Sequence, residues 1–114
     1  MRRLDDIALT QNQRRALTEL RDRLLAEFDV EQVVLYGSVA RGTADEESDA
    51  DLLVVTPRLL TRPARHKITD LAFEVNLLYG TNFSTLVVDR QSWESGLVSV
   101  LRLRDEILKE GIPL

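Results

Sequence analysis

Two aspartates, Asp49 and Asp51, stand two residues apart at the head of the apolar run Leu52-Leu53-Val54-Val55. In an extended strand the side chains at i and i+2 share one face. Both carboxylates therefore project together, with only Ala50 between them. Like charges so placed repel each other unless a cation lies between them. Hard carboxylate oxygens suit Mg²⁺, which is commonly held by one or two carboxylates together with substrate phosphates. Upstream, Gly37-Ser38 follows a second apolar run, Gln32-Val33-Val34-Leu35-Tyr36. Gly37 permits a sharp turn and the close approach of a phosphate, and Ser38 adds a hydroxyl. The residues from Val39 to Arg41 can open a short helix, whose free N–H groups favour an anion. The chemistry indicated is that of a metal-bound phosphate at the mouth of two strands.

The two apolar runs read as buried strands. Thr10 with Gln13 three residues on forms a capping box. Behind it Ala16, Leu17, Leu20, Leu24, Leu25 and Phe28 recur at helical steps, which predicts an amphipathic helix. Pro57 ends the second strand. A further helix is predicted from about Pro63 to Tyr79, with Ile68, Leu71, Ala72, Val75 and Leu78 as its apolar stripe and Gly80 as its stop. A third strand follows over Asn82 to Val88, then a short turn or helix near Ser92. A last helix spans roughly Leu97 to Lys109, docked by Leu101, Ile107 and Leu108. This order predicts an α/β (α+β) fold, a small mixed sheet with helices packed mainly on one face.

The chain has 114 residues and a net charge of -4, which is enough for one domain with a modest core. It has no cysteine, so disulfides and thiolate metal sites are excluded, in keeping with a reducing compartment. No apolar run reaches the length of a membrane span, and the start, Met1-Arg2-Arg3-Leu4, lacks a signal-peptide core. These features predict a cytoplasmic protein. The acidic balance gives no broad electrostatic grip on nucleic acid. An apolar strip on the first or last helix could serve a dimer as well as a core; periodicity does not separate the two.

Gly37-Ser38, Ala40-Arg41-Gly42 and Ser48-Asp49-Ala50-Asp51-Leu52, lying between two strands, resemble the signature of the polymerase-β-type nucleotidyltransferases, and most closely the minimal nucleotidyltransferases. The tail Ile107 to Ile112 is similar to that family's C-terminal end. The resemblance implies the nucleotidyltransferase fold over residues 1–114. It implies Asp49 and Asp51 as catalytic metal ligands for Mg²⁺, and Gly37 and Ser38 as phosphate-positioning residues of a nucleoside triphosphate site, with ATP the usual substrate. A hydroxyl acceptor would attack the α-phosphorus and pyrophosphate would leave. It further implies an acceptor on a partner protein, with the chain acting as antitoxin to a HEPN-domain toxin. Catalytic members carry a third carboxylate early in a later strand. Here the early positions are Ser84 and Thr85, and a hydroxyl is a weak metal ligand. Asp89 and Glu74 are the substitutes in the sequence.

The alternative function is a catalytically weak module of the same fold that binds nucleotide or a partner. An antibiotic-modifying transferase would need a substrate domain for which this chain is short. Arg41 is suited to the triphosphate, and equally to holding the turn shut against Asp49 or the acidic run Asp45-Glu46-Glu47. Ser48 reads as a local brace and Tyr36 as core. Arg14, Arg15, Arg21 and Arg23 read as solvated surface, as does the basic stretch around His66, whose rival role is triphosphate or acceptor binding. Trp93 reads as a packing anchor for the last helix.

Overall fold

The computed structural model describes residues 7, 9–37, 50–96 and 102–114. Ser38, Arg41, Gly42, Ser48 and Asp49 lie outside the described residues, as do the acidic run at 45–47, Leu101 and the short helix expected after Ser38.

Helix α1 (Gln11–Glu27) begins at Thr10, whose hydroxyl accepts from the Gln13 N–H while the Gln13 side chain accepts from the Thr10 N–H, so the expected capping box is formed. Strands β1 (Gln32–Tyr36) and β2 (Ala50–Thr56) pair antiparallel, with Tyr36 opposite Asp51. Helix α2 (Arg62–Tyr79) is capped by Thr61 and ends at Gly80, which takes the left-handed φ of 66° that such a stop requires. Strand β3 (Phe83–Asp89) lies parallel to β2. Short helix α3 (Arg90–Glu94) and helix α4 (Arg102–Glu110) follow, then β4 (Ile112–Pro113), which pairs with β1. The strand order is β3-β2-β1-β4, a mixed four-stranded sheet.

Alternation along β2 sends Ala50, Leu52 and Val54 into a core with Leu17, Leu20 and Leu24 of α1 and Ile68 and Val75 of α2. Leu53 and Val55 face the other way and pack with Val34, Val88, Trp93 and Ile107. The two long helices therefore cover one face, and α3 and α4 the other. Burial of β2 on both faces explains its unbroken apolar run. Trp93 anchors α4 as expected, packing with Ile107 and lying 5.5 Å from the Arg104 guanidinium.

Three apolar positions expected in the core are exposed instead: Leu25, Leu78 and Leu108. Leu25 and Leu108 each follow a buried residue, Leu24 and Ile107, and one helical step carries them off the packed stripe. At the last turn of α2 it is Tyr79 that packs against the core beside α1 and donates to Glu19 at 3.3 Å, leaving Leu78 outside.

Asn76 ties the end of α2 to the start of β3. Its amide nitrogen donates to the Phe83 carbonyl at 2.9 Å, and its oxygen accepts from the Phe83 N–H at 2.8 Å and the Thr81 hydroxyl at 3.0 Å. The next carbonyl, of Asn82, accepts from the N–H of Ala50 at 2.9 Å. This stitch fixes the register that puts Ser84 beside Asp51. Asn76→Ala strands both polar groups of Phe83, a buried residue, and should cost about 2–3 kcal/mol. Urea denaturation measures it, and a loss below about 0.5 kcal/mol would show that the stitch is dispensable.

Candidate functional site

Among the described residues the site is built at one end of the sheet, where β1 leaves at Gly37 and β2 enters at Asp51. Tyr36, Asp51 and Ser84 form one row across three strands, because Asp51 pairs with Tyr36 on one side and Ser84 on the other. By alternation this row shares the face of Val34, Leu53 and Val88, away from α1 and α2. Asp51 and Tyr36 are half-buried and Ser84 is exposed.

Gly37 turns with φ of 85°. A Cβ added there would come within 2.6 Å of Asp51 Oδ2. The missing side chain thus leaves room for the carboxylate against the turn, and the backbone that a phosphate would approach lies beside the carboxylate that would hold its counter-ion.

The Tyr36 phenol is pushed above its ordinary value, first by burial and then by the negative charge of Asp51. Removing that charge with Asp51→Asn should let the phenol ionise at a lower pH, with burial still holding it up. The tyrosinate absorbance titration reads this, with Tyr36→Phe assigning the signal among the chain's two tyrosines. An unchanged titration would separate the two groups. The neutral phenol also stabilises the fold up to about pH 10, and that contribution is lost as pH rises through the elevated value.

Neither substitute for the third carboxylate reaches the row. Glu74 lies on α2, across the sheet, and pairs with Arg23 at 3.2 Å. Asp89 pairs with Thr56 at the other end of the β2–β3 ladder, about 16 Å from Ser84 along the strand. There it caps α3, accepting from the Ser92 hydroxyl at 2.6 Å and the Ser92 N–H at 3.1 Å. Those bonds hold its carboxyl below the usual range. The sequence left Ser84 and Thr85 as alternatives; the ladder separates them. Ser84 pairs with Asp51, whereas Thr85 pairs with Leu52, which is buried beneath the long helices.

The basic stretch Arg62 to Lys67 is exposed on the first turns of α2. Arg65 acts electrostatically on Asp89, which places the stretch at the end of the sheet away from Asp51. A groove of about 730 Å³ runs along α1 past Arg15, Asp22 and Tyr79, on the helix-covered side. Two of its acids are paired with arginines, Asp22 with Arg21 and Glu27 with Arg23, while Glu19 accepts from the Tyr79 hydroxyl.

The described part of the site supplies one carboxylate, Asp51, and among the described residues no three His, Cys, Asp or Glu side chains gather as a metal site. The Asp51 carboxylate beside the Gly37 turn supplies one hard oxygen ligand of the kind that suits a cation shared with a phosphate. No helix among the described residues is long and apolar enough to cross a membrane.

Residues 16–112 match the model of the nucleotidyltransferase domain. A protein of Methanocaldococcus jannaschii provisionally named a protein adenylyltransferase is 44% identical over 63 residues, covering 54% of this chain and 43% of that protein. The chain thus matches less than half of that curated relative's length. A solved structure provisionally named a minimal nucleotidyltransferase is 34% identical, covers 88% of this chain and 91% of its own, and superposes with a TM-score of 0.59. The fold is also that of a complex of Shewanella oneidensis, a tri-AMPylated HEPN toxin with its MNT antitoxin, at 19% identity, 90% and 67% coverage and a TM-score of 0.50. Over most of its length the chain therefore belongs to the nucleotidyltransferase domain family, in its minimal type.

Proposed function

We propose that this chain transfers AMP from ATP to a hydroxyl of a partner protein, with Asp49 and Asp51 holding Mg²⁺. The observation that carries this reading is the Asp51 carboxylate seated at the Gly37 turn, where a Cβ would meet it at 2.6 Å. In the proposed reaction the acceptor hydroxyl gives its proton to solvent as its oxygen bonds to the α-phosphorus, the bond from that phosphorus to the α–β bridging oxygen breaks, and pyrophosphate leaves. Bound Mg²⁺ would neutralise charge on the phosphates and the leaving group. Gly37 and Ser38 bring backbone and hydroxyl to the β- and γ-phosphates, and Arg41 adds a positive charge. Asp51 sits on β2, buried on both faces, so its position is set by the core. The AMPylated toxin bound to the antitoxin of similar fold supports a HEPN-domain protein as acceptor and an antitoxin role for this chain.

The second reading is a module of the same fold that binds nucleotide and a partner with little turnover. The hydroxyl of Ser84, where it faces Asp51, favours it. Incubation with Mg²⁺ and α-labelled ATP, with and without the product of the neighbouring gene, separates the two. Label on the partner supports the transferase; ATP binding without label supports the module; absence of both defeats the proposal.

A further inference from the structure

We propose that the outer edge of β3 is the surface through which two copies of this chain pair, strand against antiparallel strand, about a two-fold axis at Leu86. The pairing is independent of nucleotide and metal binding at Asp51.

Strand β3 lies at the edge of the sheet, seven residues long and in unbroken register with β2. Along a strand, alternate residues turn their N–H and C=O to one neighbour, and the residues between turn theirs to the other side. The Asn82 carbonyl accepts from the Ala50 N–H of β2. Ser84, Leu86 and Val88 therefore bond inward too, and Phe83, Thr85 and Val87 present their polar groups outward. At Phe83 the side-chain amide of Asn76 takes both groups, standing where a residue of a further strand would. Among the described residues nothing takes those of Thr85 and Val87. Edge strands are commonly guarded by a lysine, a proline or a bulge. Phe83 to Val88 carry no charge and no proline, and their register with β2 has no bulge.

The free stretch is complementary to itself. Asn76 closes it at Phe83, and Asp89 closes the other end, where the chain turns into α3. A two-fold axis at Leu86 sets Thr85 opposite Val87 of the second copy, and Val87 opposite its Thr85. Residues so opposed exchange both N–H···O bonds. Leu86 meets Leu86 of the second copy, and no charges are opposed from Ser84 to Val88. Apolar surface stands beside this edge. Phe73 precedes Asn76 by three residues and shares its flank of α2, the flank that reaches β3, yet Phe73 is 63% exposed. Thr85, Leu86 and Val87 are only part-buried, although their β2 partners Leu52, Leu53 and Val54 are buried completely. A second copy on the same edge covers both, as a symmetric interface does.

Sedimentation velocity over a concentration series, joined to amide hydrogen exchange, tests this on the whole chain. The parent should dimerise, and the Thr85 and Val87 amides should gain protection as concentration rises. Val87→Pro removes an outward N–H and none that β2 uses. Leu86→Lys, the second variant should the first fold poorly, opposes like charges across the axis. Each, folded by circular dichroism, should weaken dimerisation about tenfold or more. Leu86→Glu should behave as Leu86→Lys when alone, and the two should pair when mixed, a rescue that requires residue 86 to face its own copy. Leu78→Ser, on the flank of Glu74 that faces α1, should leave the dimer as it is. A parent monomeric throughout, or a dimer untouched by the β3 variants, overturns the proposal. So does protection of Thr85 and Val87 that appears only when the product of the neighbouring gene is added, because the edge then belongs to a strand of that protein.

Discussion

Asp51→Asn is expected to lower AMP transfer roughly a hundred- to a thousandfold while changing stability by less than about 1 kcal/mol. Asparagine keeps the size and one oxygen of aspartate but carries no charge. Asp51 is half-buried at the entrance of β2, between Tyr36 and Ser84. Its contribution to the fold is small because the core of β2 begins on the other face with Ala50 and continues at Leu52. Its contribution to transfer is large because metal and phosphate chemistry depends on charge held in position. Single-turnover transfer of label from α-labelled ATP measures the first quantity and urea denaturation the second. Transfer within a few-fold of the parent would remove Asp51 from the catalytic role, and with it the central support of the proposed function.

The elements that position Asp51 were legible because their signals are local. The Thr10–Gln13 capping box, the Gly80 stop and the two apolar runs each state a backbone conformation within a few residues, and each appears as expected. Strand β4 was not legible. Two residues, Ile112 and Pro113, carry no period, and only the β1 edge at Val34 and Leu35 makes them a strand. Leu25, Leu78 and Leu108 were misplaced for a related reason. Helical spacing marks a stripe about as wide as a third of the helix, and tertiary contact decides which flank is covered. The choice between Ser84 and Thr85 needed the pairing register, which depends on Asn76 and Asn82 far from Asp51 in sequence. Asn76 itself gave a faint signal, a polar residue four before the helix-stopping Gly80, where a side chain can reach the next strand.

Gly37→Ala should abolish nucleotide binding and lower stability by about 1–2 kcal/mol, and Gly80→Ala provides the comparison that separates the two effects. Both glycines hold a positive φ, 85° at Gly37 and 66° at Gly80, so both variants carry the strain of a left-handed backbone. At Gly80 an added Cβ meets nothing within 4 Å, and the strain is the whole effect. At Gly37 the same carbon would stand 2.6 Å from Asp51 Oδ2, closer than contact allows. Either the turn or the carboxylate must shift, and both belong to the phosphate and metal site. Calorimetric titration with an ATP analogue and Mg²⁺, beside urea denaturation, gives the two readouts for each variant. Gly80→Ala should lose stability and keep its nucleotide affinity; Gly37→Ala should lose both. Equal stability losses with affinity preserved in the Gly37 variant would mean that the turn at Gly37 serves the fold alone, and the phosphate would have to be placed by residues other than the glycine turn.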